Sequence, residues 1–311
     1  MKKIETSLYK LESLSDFHQL FGLEKPRHPL VSFIDLGQMG FEPGSLPDFL
    51  VMDFFKIAYK NHVSGKAKYG QGYYDFGEGG LVFTAPGQVF ESPQSAATPG
   101  YMLLVHPDLL LSYPLAKKIK QYHFFSYAAN EALHVSDQER KTIMRVFESI
   151  DEELNGRIDD FSQGVIVSQT DLLLNYISRY YKRQFITRRA QNHGLLQKTE
   201  ELLDTYFDGD QLLQQGIPSV QYLASQLNLS PSYLSDMLRS LTGQNAQHLI
   251  HVRLIEKAKQ LLSTSALSVS ETAYQLGFEH PQSFSRLFKA KTKQSPLEFR
   301  ASFPGHVSFK N

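Results

Sequence analysis

Apolar positions change period along the chain. Up to about residue 130 they come in short runs such as Phe54-Phe55-Lys56-Ile57-Ala58-Tyr59 and Gly80-Leu81-Val82-Phe83-Thr84, which read as strands. Turn residues at Glu42-Pro43-Gly44, His62-Val63-Ser64-Gly65, Phe76-Gly77-Glu78-Gly79-Gly80 and Ala85-Pro86-Gly87 separate them, predicting a small antiparallel barrel or sandwich. From Ser136 to about Ile186 the spacing turns helical. Ile143, Phe147 and Ile150 recur on one face, with Ser136 and Glu139 as a capping box. After Gly156 a second run starts at Ile158, with Phe161, Val165, Gln169, Leu172, Tyr176 and Ile177 close to one face, so a helical hairpin is expected. Arg183 to Gly194 is basic and polar without a long apolar period, either a solvated tether or an arm that contacts phosphate. The expected organisation is therefore a first domain over 1–186, a linker over 187–196 and a second domain over 197–303.

The second domain repeats itself. Pro218 to Leu229 reads as a short helix with Ser219 as cap, ending in a tight turn, and Ser230-Pro231 opens the next, with Ser230 as cap and Pro231 at the first helical position. Ala224, Leu227, Leu229, Leu234 and Leu238 form the small core that a helix-turn-helix needs. Ala273, Leu276, Phe278, Phe284 and Phe288 fall 49 residues later before the turn and 50 after it, so the second turn is one residue longer. Gly277 suits a backbone leaving a helix through positive φ. Between the units, Asn245 to Ser263 predicts one amphipathic helix with Leu249, Val252, Ile255, Leu261 and Leu262 on one side. At 1.5 Å per residue it is roughly 28 Å long. Such a rod can hold two reading helices about one DNA turn apart, near 34 Å.

Composition narrows the functions. The 311-residue chain has no cysteine, which excludes disulfides, thiolate metal sites and cysteine nucleophiles. Its 32 basic and 32 acidic residues argue against bulk coating of DNA but leave room for a local basic face. No apolar stretch reaches the roughly 20 residues of a membrane span, and Met1-Lys2-Lys3-Ile4-Glu5 does not lead into a signal-peptide core, so a cytoplasmic protein is expected.

Gly277-Phe278-Glu279-His280-Pro281-Gln282-Ser283-Phe284-Ser285-Arg286-Leu287-Phe288-Lys289, followed by Gln294-Ser295-Pro296-Leu297-Glu298-Phe299-Arg300, resembles the signature of AraC/XylS-type transcription regulators. The resemblance covers about residues 195–302. Lys293 departs from it, standing where the family usually has a glycine; Gly243 keeps the glycine in the first unit. The resemblance implies an α+β multidomain protein: an N-terminal cupin-like β-barrel with a helical hairpin, and a C-terminal all-α domain of two helix-turn-helix units. It also implies double-stranded DNA as partner and, by position, base-reading candidates Ser232, Ser235, Asp236 and Arg239 in the first unit. In the second unit they are His280, Gln282, Ser283, Ser285 and Arg286.

Gln282 is suited to adenine and Arg286 to guanine, through two hydrogen bonds each. For Gln282 and His280 a capping or phosphate role is the alternative. Asp236 either accepts from cytosine or pairs with a neighbouring arginine. Lys289, Lys291 and Lys293 would contact or steer toward phosphate. Nine basic residues lie from Arg239 to Arg300 against four acidic ones.

For the N-terminal half the resemblance implies a module for dimerisation or for a small-molecule effector, with RNA polymerase as a further partner and activation as the commoner outcome. Tyr59, Tyr69, Tyr73, Tyr74 and Phe83 either line an apolar pocket or fill a core. His62, His106, His123 and His134 are scattered singly, and His248 with His251 sits on the inter-unit helix, so no metal site or cofactor is expected. No Ser/His/Asp set, phosphate loop or dinucleotide fingerprint is present, and no catalytic residue is assigned. A constitutive dimeric regulator and a cupin-type enzyme fused to a DNA-binding domain are the alternatives to an effector-controlled regulator.

Overall fold

The computed structural model describes residues 8–41, 45–61, 67–69, 72–74, 79–92, 99–157, 159–187 and 189–303; for 67–69, 72–74, 91, 129 and 189–191 it describes the backbone alone. The chain divides into two units, Met1–Gln184 and Phe185–Asn311.

In the first unit the strands are β1 (Leu8–Leu11), β2 (Val31–Asp35), β3 (Phe49–Met52), β4 (Phe55–Lys60), β5 (Ala67–Tyr69), β6 (Gly72–Tyr74), β7 (Gly80–Thr84), β8 (Val89–Glu91), β9 (Gly100–Val105) and β10 (Leu133–His134). They form a five-stranded sheet in the order β10-β7-β4-β9-β2, a three-stranded sheet in the order β1-β3-β8 and a β5–β6 hairpin. Alternation along β4 splits its side chains between two layers. Ala58 joins Ile34, Met102 and Leu104 against Leu11, Leu50 and Met52 of the smaller sheet. On the other face Phe83, the ladder partner of Ile57, meets Phe124 and Tyr181, with ring centroids 4.8 and 6.0 Å away. Among the described residues β2 and β10 remain edges, so the strands make a sandwich of open sheets and not the closed barrel expected.

One helix interrupts the strands where none was expected. Helix α1 (Leu14–Leu20) is fixed by a capping box in which Ser13 Oγ accepts from Asp16 N at 3.1 Å and Asp16 accepts from Ser13 N at 2.9 Å. Leu14, Phe17 and Phe21 are buried from it. A short helix α2 (Leu115–Lys118) lies among turns between β9 and β10.

The expected hairpin is α3 (Asp137–Asn155) and α4 (Ser162–Thr187). Ser136 and Glu139 cap α3 as predicted, and Ile143, Phe147 and Ile150 are buried. On α4 the expected face is wrong in part. Ile177 is buried, but Phe161 is 77%, Val165 37% and Leu172 46% exposed, while Ile166, Val167, Leu173, Leu174 and Tyr181 go inside. Polar contacts fix that orientation. Gln169 Nε2 donates to Ser149 Oγ at 2.6 Å, and Lys118 pairs with Asp171 at 2.6 Å. Helix α4 therefore carries two apolar stripes, and periodicity alone picked the outer one.

The second unit is helical: α5 (Arg189–Asp208), α6 (Gln211–Gln215), α7 (Val220–Gln226), α8 (Pro231–Thr242), α9 (Ala246–Thr264), α10 (Val269–Gln275), α11 (Pro281–Thr292) and α12 (Pro296–Ala301). The stretch read as a linker at 187–196 is thus helical from Arg189 onward rather than irregular.

Candidate nucleic-acid interface

The first helix-turn-helix unit forms from the two caps the sequence announces. Ser219 accepts from Tyr222 N at 3.1 Å and Ser230 from Tyr233 N at 3.2 Å, with Pro231 at the start of α8. In the first unit Leu223, Ala224, Leu234, Met237 and Leu238 are buried; in the second, Ala273, Leu276, Phe284 and Phe288. Both turns pass through a left-handed residue at the same repeat position, Asn228 at φ 56° and Gly277 at φ 77°. Asparagine tolerates that region better than most side chains, which is why no glycine announced the first turn. At Gly277 a second reason for glycine appears, since a Cβ would lie 2.7 Å from Gly216 Cα.

The repeat continues past the second helix of each unit. Thr242 and Thr292 both donate to the carbonyl four residues back and accept from the backbone N–H two residues on. Gly243 at φ 76° and Lys293 at φ 66° then terminate α8 and α11. The next caps are Asn245, which accepts from His248 N at 2.9 Å, and Ser295, which accepts from Glu298 N at 3.2 Å. Helix α9 has the 19 residues expected. Its buried line is Ala246, Ile250, Leu254, Ile255, Ala258 and Leu262, which includes two alanines and omits Leu249, Val252 and Leu261 of the expected face. Along that line it packs against α5, α8, α10 and α12.

The candidate readers lie as follows. Ser232, Asp236 and Arg239 share the outer face of α8, away from buried Tyr233, Leu234, Met237 and Leu238, with Ser235 on its flank. Asp236 is not free: its carboxylate takes the Arg239 guanidinium at 2.6 Å. On α11 the same spacing gives Gln282, Arg286 and Lys289, all exposed, with exposed Ser283 and half-buried Ser285 on the two flanks. His280 is the residue before α11 and makes no side-chain cap bond. Lys291 is about half a turn from Gln282 on the helix. It approaches His251 of α9 closely enough to lower that imidazole's pKa, after burial, which is the larger cause. So Lys289 shares the Arg286 stripe and Lys291 does not.

Ion pairs sort the nine basic residues. Arg253 reaches Asp204 at 3.2 Å and Lys257 reaches Asp208 at 2.7 Å, tying α9 to α5. Arg239 is held by Asp236. The other six have no carboxylate partner among the described residues: Lys259, whose ammonium lies 5.9 Å from the Phe299 ring, Arg300, which donates to the Leu262 carbonyl at 3.4 Å, and Arg286, Lys289, Lys291 and Lys293, which all lie on or just after α11. Positive potential left for a phosphate backbone is accordingly concentrated in the second unit.

Other sequence candidates belong to the first unit. His106 accepts from Asp108 N at 3.2 Å as a local cap, and the His134 carbonyl accepts from Arg183 at 2.6 Å. His62 and the side chains of Tyr69, Tyr73 and Tyr74 fall outside the described residues; Tyr59 and Phe83 are buried core.

Residues 223–302 match the family model described as a helix-turn-helix domain. The chain is 33% identical over 103 residues to the arabinose operon regulatory protein of Salmonella typhimurium, an overlap of 33% of each chain. It is 36% identical over 84 residues to the raffinose operon transcriptional regulatory protein of Pediococcus pentosaceus, covering 27% of this chain and 30% of that one. Among solved structures, the C-terminal domain of a two-component response regulator of Fusobacterium nucleatum is similar at 31% identity and a TM-score of 0.29, over 33% of this chain and 98% of that one. The chain thus spans about a third of the length of the regulators it matches.

Proposed function

We propose, from the premise that the C-terminal unit is an AraC/XylS-type helix-turn-helix domain, that this protein is a sequence-specific DNA-binding transcription regulator acting in the cytoplasm. The observation that carries the reading is the matched pair of outer stripes. Ser232, Asp236 and Arg239 on α8 recur as Gln282, Arg286 and Lys289 on α11, each on a helix that opens with a proline and is held against its small core. In this reading α8 and α11 enter successive major grooves, and α9, roughly 28 Å long at 1.5 Å per residue, sets their separation. Arg286 reads a guanine edge, Lys289 meets phosphate, and Gln282 with Ser283 reads beside them. Asp236, engaged by Arg239, weakens direct readout by the first unit. The first unit of the chain serves in dimerisation, through the exposed stripe of α4, and in response to a small-molecule effector.

Selection of bound duplexes from a random pool by the full chain, at several salt concentrations, tests the reading. A conserved motif about one helical turn or more in length is expected, with log K falling linearly against log salt. Recovery of random sequence at every salt concentration would falsify sequence-specific binding.

A further inference from the structure

The basic stretch that the sequence leaves open as a tether or a phosphate arm contains buried side chains: Phe185 and Asn192, with Leu195 just after it. All three belong to the second unit, because the boundary between the units falls inside α4, after Gln184. Asn192 Nδ2 donates to the Phe185 carbonyl at 2.8 Å, which ties the last turn of α4 to α5. The Phe185 ring meets the ring of Tyr233 edge-on, with centroids 5.2 Å apart and planes at 64°. Tyr233 stands on α8 between Ser232 and Asp236 and is 1% exposed.

The repeat between α8 and α11 breaks at this tyrosine. The 50-residue shift that places Leu234 on Phe284 and Leu238 on Phe288 also places Tyr233 on Ser283 and Met237 on Leu287. Tyr233 and Met237 are buried, whereas Ser283 is exposed and Leu287 half-buried. Four residues apart on one helix, Tyr233 and Met237 form a second apolar stripe beside the core line of Leu234 and Leu238. Helix α5 packs on α8, while the main neighbours of α11 are α10 and α12. The first reading helix is therefore seated on its amino-terminal side as well as on its partner helix, and the second is not. Phe185, which completes that seat, lies outside the segment 223–302 that matches the helix-turn-helix model. Close-packed rings tolerate neither a gap nor a compressed contact, so a change at Phe185 shifts the first turn of α8 and carries Ser232 and Asp236 with it.

We infer that Phe185 is a positioning residue for DNA reading: through Tyr233 it sets the placement of α8 against α5, and so the base contacts of the first helix-turn-helix alone. The consequence for DNA rests on the regulator reading above; the seating of α8 does not.

Amide hydrogen exchange on the full chain tests the seat without DNA. In Phe185→Ala, exchange in α8 is expected to quicken about tenfold and exchange in α11 to stay within about twofold of the unsubstituted protein. Equal acceleration in both helices, or none in α8, overturns the seat. For the second readout, the duplex recovered by selection is changed one base pair at a time. Ser232→Ala and Asp236→Ala mark the positions that belong to α8, and Arg286→Ala those that belong to α11. Phe185→Ala should lose about tenfold of discrimination at the α8 positions and less than about twofold at the α11 positions, with the salt slope unchanged. Phe185→Leu, which keeps an apolar body in the seat, should recover most of the loss. A uniform loss at all positions, unchanged discrimination in Phe185→Ala, or a Phe185→Leu no better than alanine with native circular dichroism overturns the positioning role. Asn192→Ala keeps both rings and should show the same split at smaller size, which serves where Phe185→Ala unfolds; an even loss in that variant overturns the role too. An unsubstituted chain that prefers no sequence removes the regulator reading, and the exchange difference then sustains the seat by itself.

Discussion

Single residues decide how tightly the two repeats are held. Lys293 ends α11 at φ 66°, the conformation Gly243 adopts at the end of α8. A side chain with a Cβ pays roughly 1–2 kcal/mol there, so Lys293→Gly should raise unfolding free energy by about 1 kcal/mol in urea melts. An unchanged midpoint would mean that the Lys293 ammonium, 3.3 Å from the Ala290 carbonyl, compensates. Lys56 makes a second prediction. Its ammonium falls from the ordinary lysine value to about 7 on folding, so between pH 7 and 10.5 the unfolded chain binds the extra proton. Stability should rise across that window, by at most about 1.4 kcal/mol per pH unit, and level off above it. In Lys56→Met the rise should shrink, as measured by denaturation at pH 7, 8.5 and 10. Lys56 was not conspicuous in the sequence as an inward-facing cation, because Phe55-Lys56-Ile57-Ala58-Tyr59-Lys60 reads equally well as a strand whose lysines face water.

At the level of elements, legibility follows how local the cause is. Helices α7 and α8 were readable because Ser219, and Ser230 with Pro231, stand next to a periodic run and fix each start, while α10 and α11 were readable from the repeated apolar positions and the α9 rod from its period. Helix α1 was just as local, with Ser13 and Asp16 in a capping box, but its seven residues sit among strand signals. Two things were not readable. The buried line of α9 includes Ala246 and Ala258, whose small size is set by the helices packed on it. The inward face of α4 is chosen by distant partners, Ser149 and Lys118, which no period within α4 encodes. The turn of the second unit supplies a test at this scale. Gly277 holds φ 77° against Gly216, which itself sits at φ 76° with its carbonyl accepting from Tyr206 Oη at 2.8 Å. Gly277→Ala combines strain with a backbone clash and should cost more than 2 kcal/mol. Asn228→Gly, at the matching turn, should be neutral or stabilising. Thermal melts of the two variants moving together would show that the turns are not equivalent.

The whole chain has no net charge, yet Arg286, Lys289, Lys291 and Lys293 cluster on or just after α11 without a carboxylate partner among the described residues, while Val165 and Leu172 on α4 and Phe161 just before it are exposed. Both asymmetries matter only when something covers them. Arg286 and Lys289 should separate in binding assays: Arg286→Ala loses about 1–3 kcal/mol at particular base positions, whereas Lys289→Ala weakens all sequences alike and lowers the salt slope by about one. The α4 stripe bears on assembly. Residues 161, 165, 172 and 176 follow the helical spacing of a seam, and a second copy of the same stripe is the partner proposed for it. Leu172→Glu places a charge in that seam without touching the buried stripe that fixes the fold. Sedimentation equilibrium is expected to show a dimer for the unsubstituted chain and a monomer for Leu172→Glu. Affinity for one isolated half-site should be unchanged, while binding to a paired site loses roughly 10²–10⁴ of avidity. A Leu172→Glu chain that still sediments as a dimer would move the dimer contact off α4 altogether.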